Sequence, residues 1–170
     1  RKVTPGGLFV CIVGTQRDSH DYAADVAAKG AAVLAIQHDL PAEVLAALPD
    51  VTVVKFESTR YAMALLSTAY FGRPALEMTM VGVTGTKGKT TTTHMIKAVG
   101  TNGVYYPGHH YDLNNTTPES YELQKILRQL ADAGCDACVM EVSSQGIMMD
   151  RVAGIHYKVG VFTNLYPDHI

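Results

Sequence analysis

The sequence has few cysteines, little excess charge of either sign and no long apolar run. Three cysteines in 170 residues fit a reducing compartment, because secreted domains usually carry paired cysteines. We therefore expect a cytoplasmic protein. A net charge of −2 implies no general attraction to nucleic acid. No apolar run reaches the length of a membrane span, and we find no signal peptide at the start.

The cysteines and paired histidines do not predict a metal or redox site. Cys135 and Cys138 form a single C-x-x-C pair, whereas a structural zinc site needs about four ligands. A redox pair would begin a helix, and this pair leads into a predicted strand. We interpret both as core or near-core thiols. We interpret His109 and His110 as solvated residues of a polar loop.

A strand, a glycine loop and a helix follow one another at 80–99. Residues 80–84 predict a short buried strand, and 94–99 have a helical pattern. Between them stands Gly85-Thr86-Lys87-Gly88-Lys89-Thr90. This order predicts a phosphate-binding loop, in which the glycines turn inward-facing backbone N–H groups onto the phosphates. Lys89 would add a charge for the terminal phosphates, and the Thr90 hydroxyl would bind Mg²⁺.

The spacing of this loop differs from the general pattern. The first glycine of the standard loop would fall at Val83, and Gly82 comes one residue too early. The alternative interpretation is an ordinary strand-to-helix turn with a solvent-facing lysine. The strand before the loop and the helix after it favour phosphate binding.

Alternating strands and helices predict an α/β protein with two domains. We predict a small N-terminal α/β domain at 1–73, a linker at 74–79, and a mostly parallel-sheet ATPase domain, incomplete, at 80–170. Predicted strands lie at 8–13, 31–36, 51–56, 137–142 and 159–163, and predicted helices at 21–29, 42–48 and 59–71. A further helix is expected after a cap at Thr116 or Thr117, with a buried stripe of Tyr121, Leu123, Ile126, Leu127 and Leu130.

The interval after the phosphate-loop helix is shorter than a doubly wound sheet requires. The helix is predicted to run to about Val99, and no strand of adequate length is visible between Val99 and Gly103. A strand should return at this point. One hypothesis is that residues are missing near Gly100.

Polar residues stand at the ends of two further predicted strands. Glu141 ends an apolar run, and a buried carboxylate requires compensation. Because the carboxyl ends of parallel strands meet at one crevice, we predict that Glu141 reaches a Mg²⁺ ion on the nucleotide phosphates. Asn164 and His169 follow the next strand and would reach the same crevice. The alternatives are a solvent-facing glutamate and a structural histidine.

Several runs together resemble the Mur ligase family, over nearly all of the chain. The phosphate loop is the first, and the others are Asn-Thr-Thr-Pro at 115–118, Met-Glu-Val-Ser-Ser-Gln at 140–145, Arg-Val at 151–152, Phe-Thr-Asn-Leu at 162–165, and Asp-His at 168–169. The opening residues and Gly-Thr-Gln at 14–16 resemble the uridine-binding domain of that family.

The resemblance implies an ATP-dependent amide ligase of cell-wall (peptidoglycan) precursor synthesis. The matching member adds the third residue, a diamino acid (meso-diaminopimelate or L-lysine), to UDP-N-acetylmuramoyl-L-alanyl-D-glutamate through an acyl phosphate. The expected cofactors are ATP and Mg²⁺, and we expect a monomer. The family has a C-terminal domain beyond the region matched here, so this chain alone is expected not to complete turnover.

The resemblance also implies roles for individual residues. Lys89 and His169 would be catalytic, and Thr90, Glu141 and His169 would bind Mg²⁺. ATP would contact Gly85, Thr86, Lys87, Gly88, Lys89, Thr90, Thr91 and Asn164. The UDP-precursor would contact Thr15, Gln16, Arg17, Thr116, Thr117, Ser143 and Arg151. Two alternatives stay open: another Mur or folylpolyglutamate-type ligase, and a non-catalytic phosphate-loop nucleotide-binding module.

Overall fold

The computed structural model describes residues 3–14, 16–94 and 98–166, and the chain divides into two compact units, Arg1–Ala62 and Met63–Ile170. The predictions for Thr15, Asp168 and His169 lie outside the described residues. The division falls inside a helix rather than at the predicted linker, where residues 74–76 form a 3-10 turn. The domain boundary at 73 stays a prediction.

The first unit is a three-stranded parallel sheet with short helices. Its strands β1, β2 and β3 lie in chain order in the sheet. They span Leu8–Val10, Val33–Ile36 and Thr52–Lys55, and the helices α1 and α2 span Ala23–Ala28 and Ala42–Ala46, with a 3-10 turn at Ser19–Tyr22. Every element is shorter than predicted, but the order of strands and helices agrees with the prediction. The buried core is small and aliphatic: Cys11, Ala23, Val26, Ala31, Leu34, Ile36, Leu40 and Leu48.

Helix α3 (Thr59–Tyr70) begins where predicted and ends one residue before the predicted end. The backbone N–H of Tyr61 donates to the Ser58 hydroxyl at 3.2 Å, which satisfies an N–H group that has no partner within the helix. Gly72 follows with φ of 74°, a left-handed conformation that glycine adopts without steric cost.

The second unit contains a six-stranded mixed sheet in the order β7-β6-β5-β8-β4-β9. The strands β4, β5, β8 and β9 are parallel, whereas β6 and β7 form an antiparallel hairpin at one edge. The strands span Thr79–Thr84 (β4), Ala98–Gly100 (β5), Gly103–Tyr106 (β6), His109–Tyr111 (β7), Ala137–Glu141 (β8) and Val159–Phe162 (β9). The helices are α4 (Lys89–His94), α5 (Ser120–Asp132) and α6 (Ser144–Met148).

The prediction for the interval after the phosphate loop was wrong in two respects. Ala98–Gly100 is a strand, so the helix does not extend to Val99, and this strand pairs with both β8 and β6. A three-residue strand carries too little periodicity to be visible in sequence. It forms here because neighbours on both sides complete its backbone hydrogen bonds.

The expected loop at His109 and His110 is instead strand β7. The His110 ring stacks on Tyr105 across the hairpin with centroids 4.2 Å apart, and His109 stacks on Tyr106 at 4.6 Å. Cross-strand ring pairs of this kind stabilise antiparallel strands. Gly108, at φ of 80°, lies in the turn.

Helix α5 covers the sheet with an apolar stripe. Leu123, Ile126, Leu127 and Leu130 are buried as predicted, and burying each contributes about 1.5–3 kcal/mol. Tyr121 was wrongly assigned to the stripe and is half exposed. The helix begins at Ser120, so neither Thr116 nor Thr117 caps it. Both threonines are in contact with the candidate site instead.

The cysteines behave as core or near-core thiols. All three are free, with Cys11 and Cys138 buried and Cys135 partly buried. Burial raises the pKa of the Cys138 thiol to about 12 and that of Cys11 to about 11. Both thiols therefore stay protonated at neutral pH. No helix in the described ranges is long and apolar enough to cross a membrane.

Candidate active site

The glycine loop joins the carboxyl end of β4 to the first turn of α4. Gly85 and Gly88 have φ of 133° and 85°, values that side chains rarely permit. The Lys89 ammonium folds back over the loop and donates to the carbonyl oxygens of Gly85 at 2.6 Å and Thr86 at 3.3 Å. The loop therefore carries a cation directly above its own backbone.

Glu141, at the carboxyl end of β8, lies beside this loop. Its side chain is 1% exposed. The Thr90 hydroxyl donates to Oε2 at 3.1 Å, and the Thr93 hydroxyl, which is nearer to the Lys89 and Thr90 carbonyls, lies 3.4 Å from Oε1. Thr101 donates twice, from its backbone N–H at 2.9 Å and its hydroxyl at 3.1 Å. The structure thus brings together Thr90 and Glu141, the two predicted Mg²⁺ ligands within the described residues.

The partners of Glu141 are all uncharged. Among the described residues no lysine, arginine or histidine forms an ion pair with this carboxylate. Hydrogen bonds from neutral donors satisfy the oxygens but leave a buried negative charge uncompensated. Two carboxylate oxygens and the Thr90 hydroxyl are hard ligands of the kind that Mg²⁺ prefers. The donor set therefore fits the predicted ion.

The predicted precursor residues of the second unit cluster at the same edge of the sheet. The Thr117 hydroxyl donates to the carbonyl of Glu141 at 3.0 Å and accepts from the Ser143 N–H at 3.0 Å. Arg151 is buried, and it donates to the Thr117 carbonyl at 3.0 Å and forms an ion pair with Glu119 at 2.7 Å. The Ser143 hydroxyl accepts from the Gly146 N–H and so caps α6.

Thr101 is a site residue that the sequence did not indicate. It holds Glu141 as described above, and its hydroxyl is 3.0 Å from that of Thr116. It therefore connects the carboxylate to the predicted precursor residues. In the sequence, the one indication of this role was that Thr101 follows Gly100. A Cβ at position 100 would overlap the Glu141 carboxyl group, so a glycine is required there. That requirement becomes visible only once β5 is placed against β8.

Asn164 contacts the loop itself. Its side-chain amide accepts from the N–H of Lys87 and donates to the carbonyl of Lys87, both at 2.9 Å. The neighbouring Thr163 hydroxyl donates to the same carbonyl at 2.6 Å. The structure therefore places Asn164 at the loop, as predicted, but against its backbone.

The first unit holds the remaining predicted precursor residues. Gln16 and Arg17 are exposed in the loop that follows β1. The Gly14 N–H donates to the Arg17 carbonyl at 3.0 Å, and Val13 bridges to Asp18, so the loop is a closed turn.

Behind this turn lies a group of three side chains, Asp18, His20 and His38, that the sequence did not single out. The Asp18 carboxylate contacts His20 Nδ1 at 2.5 Å and His38 Nε2 at 2.7 Å, and the two rings stack with centroids 3.8 Å apart. His20 Nε2 accepts from the Gln37 N–H at 2.9 Å, so Nδ1 carries the proton and donates it to Asp18. The histidine is committed to hydrogen bonds rather than to a metal ion. The D-x-H spacing was the available signal.

Hydrogen bonding shifts the titration of two of these groups. Desolvation raises the pKa of the Asp18 carboxyl, but the His20 backbone N–H and the His38 and His20 rings outweigh it, so the pKa lies far below its usual range. The Asp18 carboxylate raises the pKa of His38 above 6.5, assisted by the Asp39 carbonyl.

Comparisons with known proteins identify the class to which this fold and site belong. The family model described as the Mur ligase middle domain matches residues 83–170. The chain belongs to the Mur ligase family.

Curated relatives extend the match over the whole chain. The chain is 40% identical to the UDP-N-acetylmuramoyl-L-alanyl-D-glutamate--2,6-diaminopimelate ligase of Clostridium perfringens and 41% identical to that of Bacillus licheniformis. All of this chain is covered, but only 36% of each relative's length. The aligned stretch is 181 positions against 170 residues here, so the relatives carry residues within it that this chain lacks.

Solved structures show the same fold. The chain superposes on a structure of a UDP-N-acetylmuramoyl-L-alanyl-D-glutamate--2,6-diaminopimelate ligase with a TM-score of 0.77 and 24% identity, covering 99% of this chain and 36% of that one. It also superposes on the MurF ligase from Thermotoga maritima in complex with ADP, with a TM-score of 0.59 and 21% identity, covering 96% of this chain and 35% of that one. The mixed α/β fold is thus that of the Mur ligases.

Proposed function

We propose that this chain is the nucleotide- and precursor-binding part of an ATP-dependent amide ligase that adds a diamino acid to UDP-N-acetylmuramoyl-L-alanyl-D-glutamate. The observation that carries the proposal is the contact between the phosphate loop and the buried Glu141 carboxylate through Thr90. The names of the relatives support the choice of substrate. A cytoplasmic location is part of this proposal and rests on the low number of cysteines.

The loop is proposed to hold the phosphates of ATP. Within residues 85–91, the N–H groups of Thr86 and Lys87 bond to Asn164, and the remaining N–H groups would face the phosphates. Lys89, now directed at two loop carbonyls, would turn to the terminal phosphates. A fixed cation and oriented N–H groups stabilise charge on a transferring phosphoryl group without reorganising at the moment of reaction.

Glu141 and Thr90 are proposed to hold Mg²⁺, with His169 as a further ligand from outside the described residues. A bound Mg²⁺ would neutralise phosphate charge. The protein contributes a carboxylate whose orientation three hydrogen bonds, from Thr90 and Thr101, already fix. Because the Glu141 carboxylate is already oriented, it does not have to be ordered when the metal ion binds.

The precursor is proposed to lie over Thr116, Thr117, Ser143 and Arg151, with its uridine at the loop of Thr15, Gln16 and Arg17. Its terminal carboxylate would attack the γ-phosphorus of ATP, forming an acyl phosphate and releasing ADP. The amine of the diamino acid would then attack the acyl carbon, forming the amide and releasing phosphate. Positioning and charge stabilisation account for this chemistry without a protein nucleophile.

ADP release by the full-length protein tests the proposal. With ATP, Mg²⁺, UDP-N-acetylmuramoyl-L-alanyl-D-glutamate and either meso-diaminopimelate or L-lysine, we expect release only when all substrates are present. Binding of the dipeptide precursor but not of UDP-N-acetylmuramoyl-L-alanine would separate this ligase from other Mur or folylpolyglutamate-type ligases. Nucleotide binding without any precursor-dependent ADP release would favour a non-catalytic nucleotide-binding module.

A further inference from the structure

The segment that follows β9 is hydrogen-bonded to the phosphate loop along its length. The Thr86 N–H donates to the Asn164 carbonyl at 3.1 Å. The Thr86 hydroxyl accepts from the Tyr166 N–H at 2.9 Å and donates to its carbonyl at 3.2 Å. The Thr163 hydroxyl and the Asn164 amide both bond to Lys87. We call the described residues 163, 164 and 166 the clasp.

Asn164 binds both backbone groups of one residue. Its Oδ1 accepts from the Lys87 N–H and its Nδ2 donates to the Lys87 carbonyl, each at 2.9 Å. One bond reaches the peptide group before Lys87 and the other the peptide group after it, so together they restrict the backbone conformation of Lys87 as well as its position. Lys87 therefore has its backbone N–H engaged before any nucleotide is bound, and its ammonium lies 5.8 Å from the centroid of the Tyr166 ring.

The clasp and the loop are also in close steric contact. A Cβ added at Gly85 would overlap the Thr163 hydroxyl and would come within 2.9 Å of the Asn164 carbonyl oxygen. Position 85 therefore cannot carry a side chain while Thr163 and Asn164 contact the loop. The hydrogen bonds of Thr163 and Asn164 to the loop thus require a glycine at position 85.

We propose that Thr163 and Asn164 hold the phosphate loop in its binding shape before nucleotide arrives, so that Asn164 acts on the nucleotide through the Lys87 peptide rather than by touching it. In its relevance to ATP this rests on the proposed function; the positioning itself is a property of the free protein. Asn164 is then a positioning residue, and nucleotide affinity depends on a strand end that contributes no phosphate ligand of its own.

Amide hydrogen exchange in the nucleotide-free, full-length protein tests the positioning directly. In Asn164→Ala we expect the Lys87 amide to exchange about three- to tenfold faster, the range that loss of one hydrogen bond allows. The Val142 amide, which donates to the Val83 carbonyl in the neighbouring strand pair, is the internal control and should not change. Unchanged Lys87 exchange would overturn the proposal.

Two further variants keep the test decisive if Asn164→Ala folds poorly. Asn164→Asp keeps an oxygen that can accept from the Lys87 N–H but loses the donor to its carbonyl, so it should restore part of the protection. Thr163→Val removes the hydroxyl that bonds to Lys87, and Thr52→Val, at an exposed position of β3, is its matched control. Faster exchange of the Lys87 amide in both Thr163→Val and Thr52→Val would overturn the assignment of Thr163 as a positioning residue.

Nucleotide titrations then separate positioning from direct contact. In Asn164→Ala we expect ADP and ATP affinity to fall by about the same factor as the exchange rate rises, with adenosine affinity unchanged. Weaker ATP binding with normal Lys87 exchange would mean that Asn164 touches the nucleotide, which overturns the proposal. If the wild-type protein bound no nucleotide, the proposed function would fail, but the exchange result would still decide the positioning.

Discussion

Each of the two sheets has a buried polar side chain near the carboxyl ends of its strands, and the two side chains have different hydrogen-bond partners. In the first unit, His20 and Gln37 together join three loops. His20 donates to Asp18 after β1 and accepts from the Gln37 N–H after β2, and the Gln37 side chain accepts from Thr59 after β3. In the second unit, the donors to Glu141 among the described residues are all neutral, and a glycine loop and a lysine lie beside it.

The difference shows what separates a scaffold from a candidate ligand site. The hydrogen bonds of His20 end within the protein, and its negative partner Asp18 lies beside the ring of His38. The charge of Glu141 has no such counterpart among the described residues. A polar strand end whose charge is matched internally thus stabilises the fold, and one whose charge is not matched is a candidate ligand.

The largest expected effect is at the glycine loop. Gly85→Ala should destabilise the second unit by about 2–4 kcal/mol, because the new Cβ overlaps Thr163 and the residue has φ of 133°. ATP binding should be lost with it. Urea unfolding and nucleotide titration measure the two effects.

The matched control for this variant is Gly160→Ala, in neighbouring β9, where a Cβ meets nothing within 4 Å. It should change stability by less than about 0.5 kcal/mol. Equal effects of the two substitutions would show that the loop is no more constrained than an ordinary strand position.

Glu141→Gln should come next and should affect binding more than folding. The amide keeps the size of the side chain but removes the charge proposed to hold Mg²⁺, so we expect Mg²⁺-dependent ATP affinity to fall on the order of 30-fold, about 2 kcal/mol. Calorimetric titration of ATP with and without Mg²⁺ measures this. If the dependence of ATP affinity on Mg²⁺ were unchanged, the ion would bind elsewhere, and Glu141, like His20, would have a structural role.

His20→Leu should show the opposite behaviour, with folding affected more than nucleotide binding. The substitution leaves the Gln37 N–H without its partner, a cost of about 1–3 kcal/mol to the first unit. Hydrogen exchange at core residues such as Leu34 reports on that unit alone. His38→Ala, at an exposed ring, is the control, and a loss of ATP binding in His20→Leu would contradict the separation.

The smallest expected effect is on pH dependence. His38 has a raised folded pKa because of Asp18, with Asp21 adding a weaker attraction. Its stabilisation is therefore fully present below its ordinary pKa of 6.5 and is lost as pH rises through the folded value. Leu34 exchange should show the first unit weakening as the pH rises above 6.5, after correction for the intrinsic rate.

The Asp18→Asn variant provides the comparison for this pH dependence. Without the carboxylate, His38 loses the main cause of its raised pKa, and the slope should flatten. A persistent slope in the variant would assign it to another group. Solvent screening at the exposed ring keeps the effect below that of His20→Leu.

Much of the fold could be predicted because its signals are local. Ser58 and Gly72 delimit α3 through hydrogen-bonding and backbone preferences that a few residues define. Strand β5 could not be predicted, because three residues carry no usable period and depend on β8 and β6 for their hydrogen bonds. The prediction of Thr117 as a helix cap was wrong. Its hydroxyl bonds to the Glu141 carbonyl in β8 instead of to the backbone of α5, and packing decides between these two partners.

The sequence by itself indicated a candidate phosphate loop and determined which strand ends carry charge. The loop from Gly85 to Thr90 and the carboxylate at Glu141 were visible because their chemistry depends on residue type and on position along a strand. Only the tertiary structure decided that Thr101 would hold Glu141, that Asn164 would bind the backbone of Lys87, and that Asp18 would be satisfied by two histidines. These contacts join residues far apart in sequence, and local preferences carry no information about distances set by sheet order.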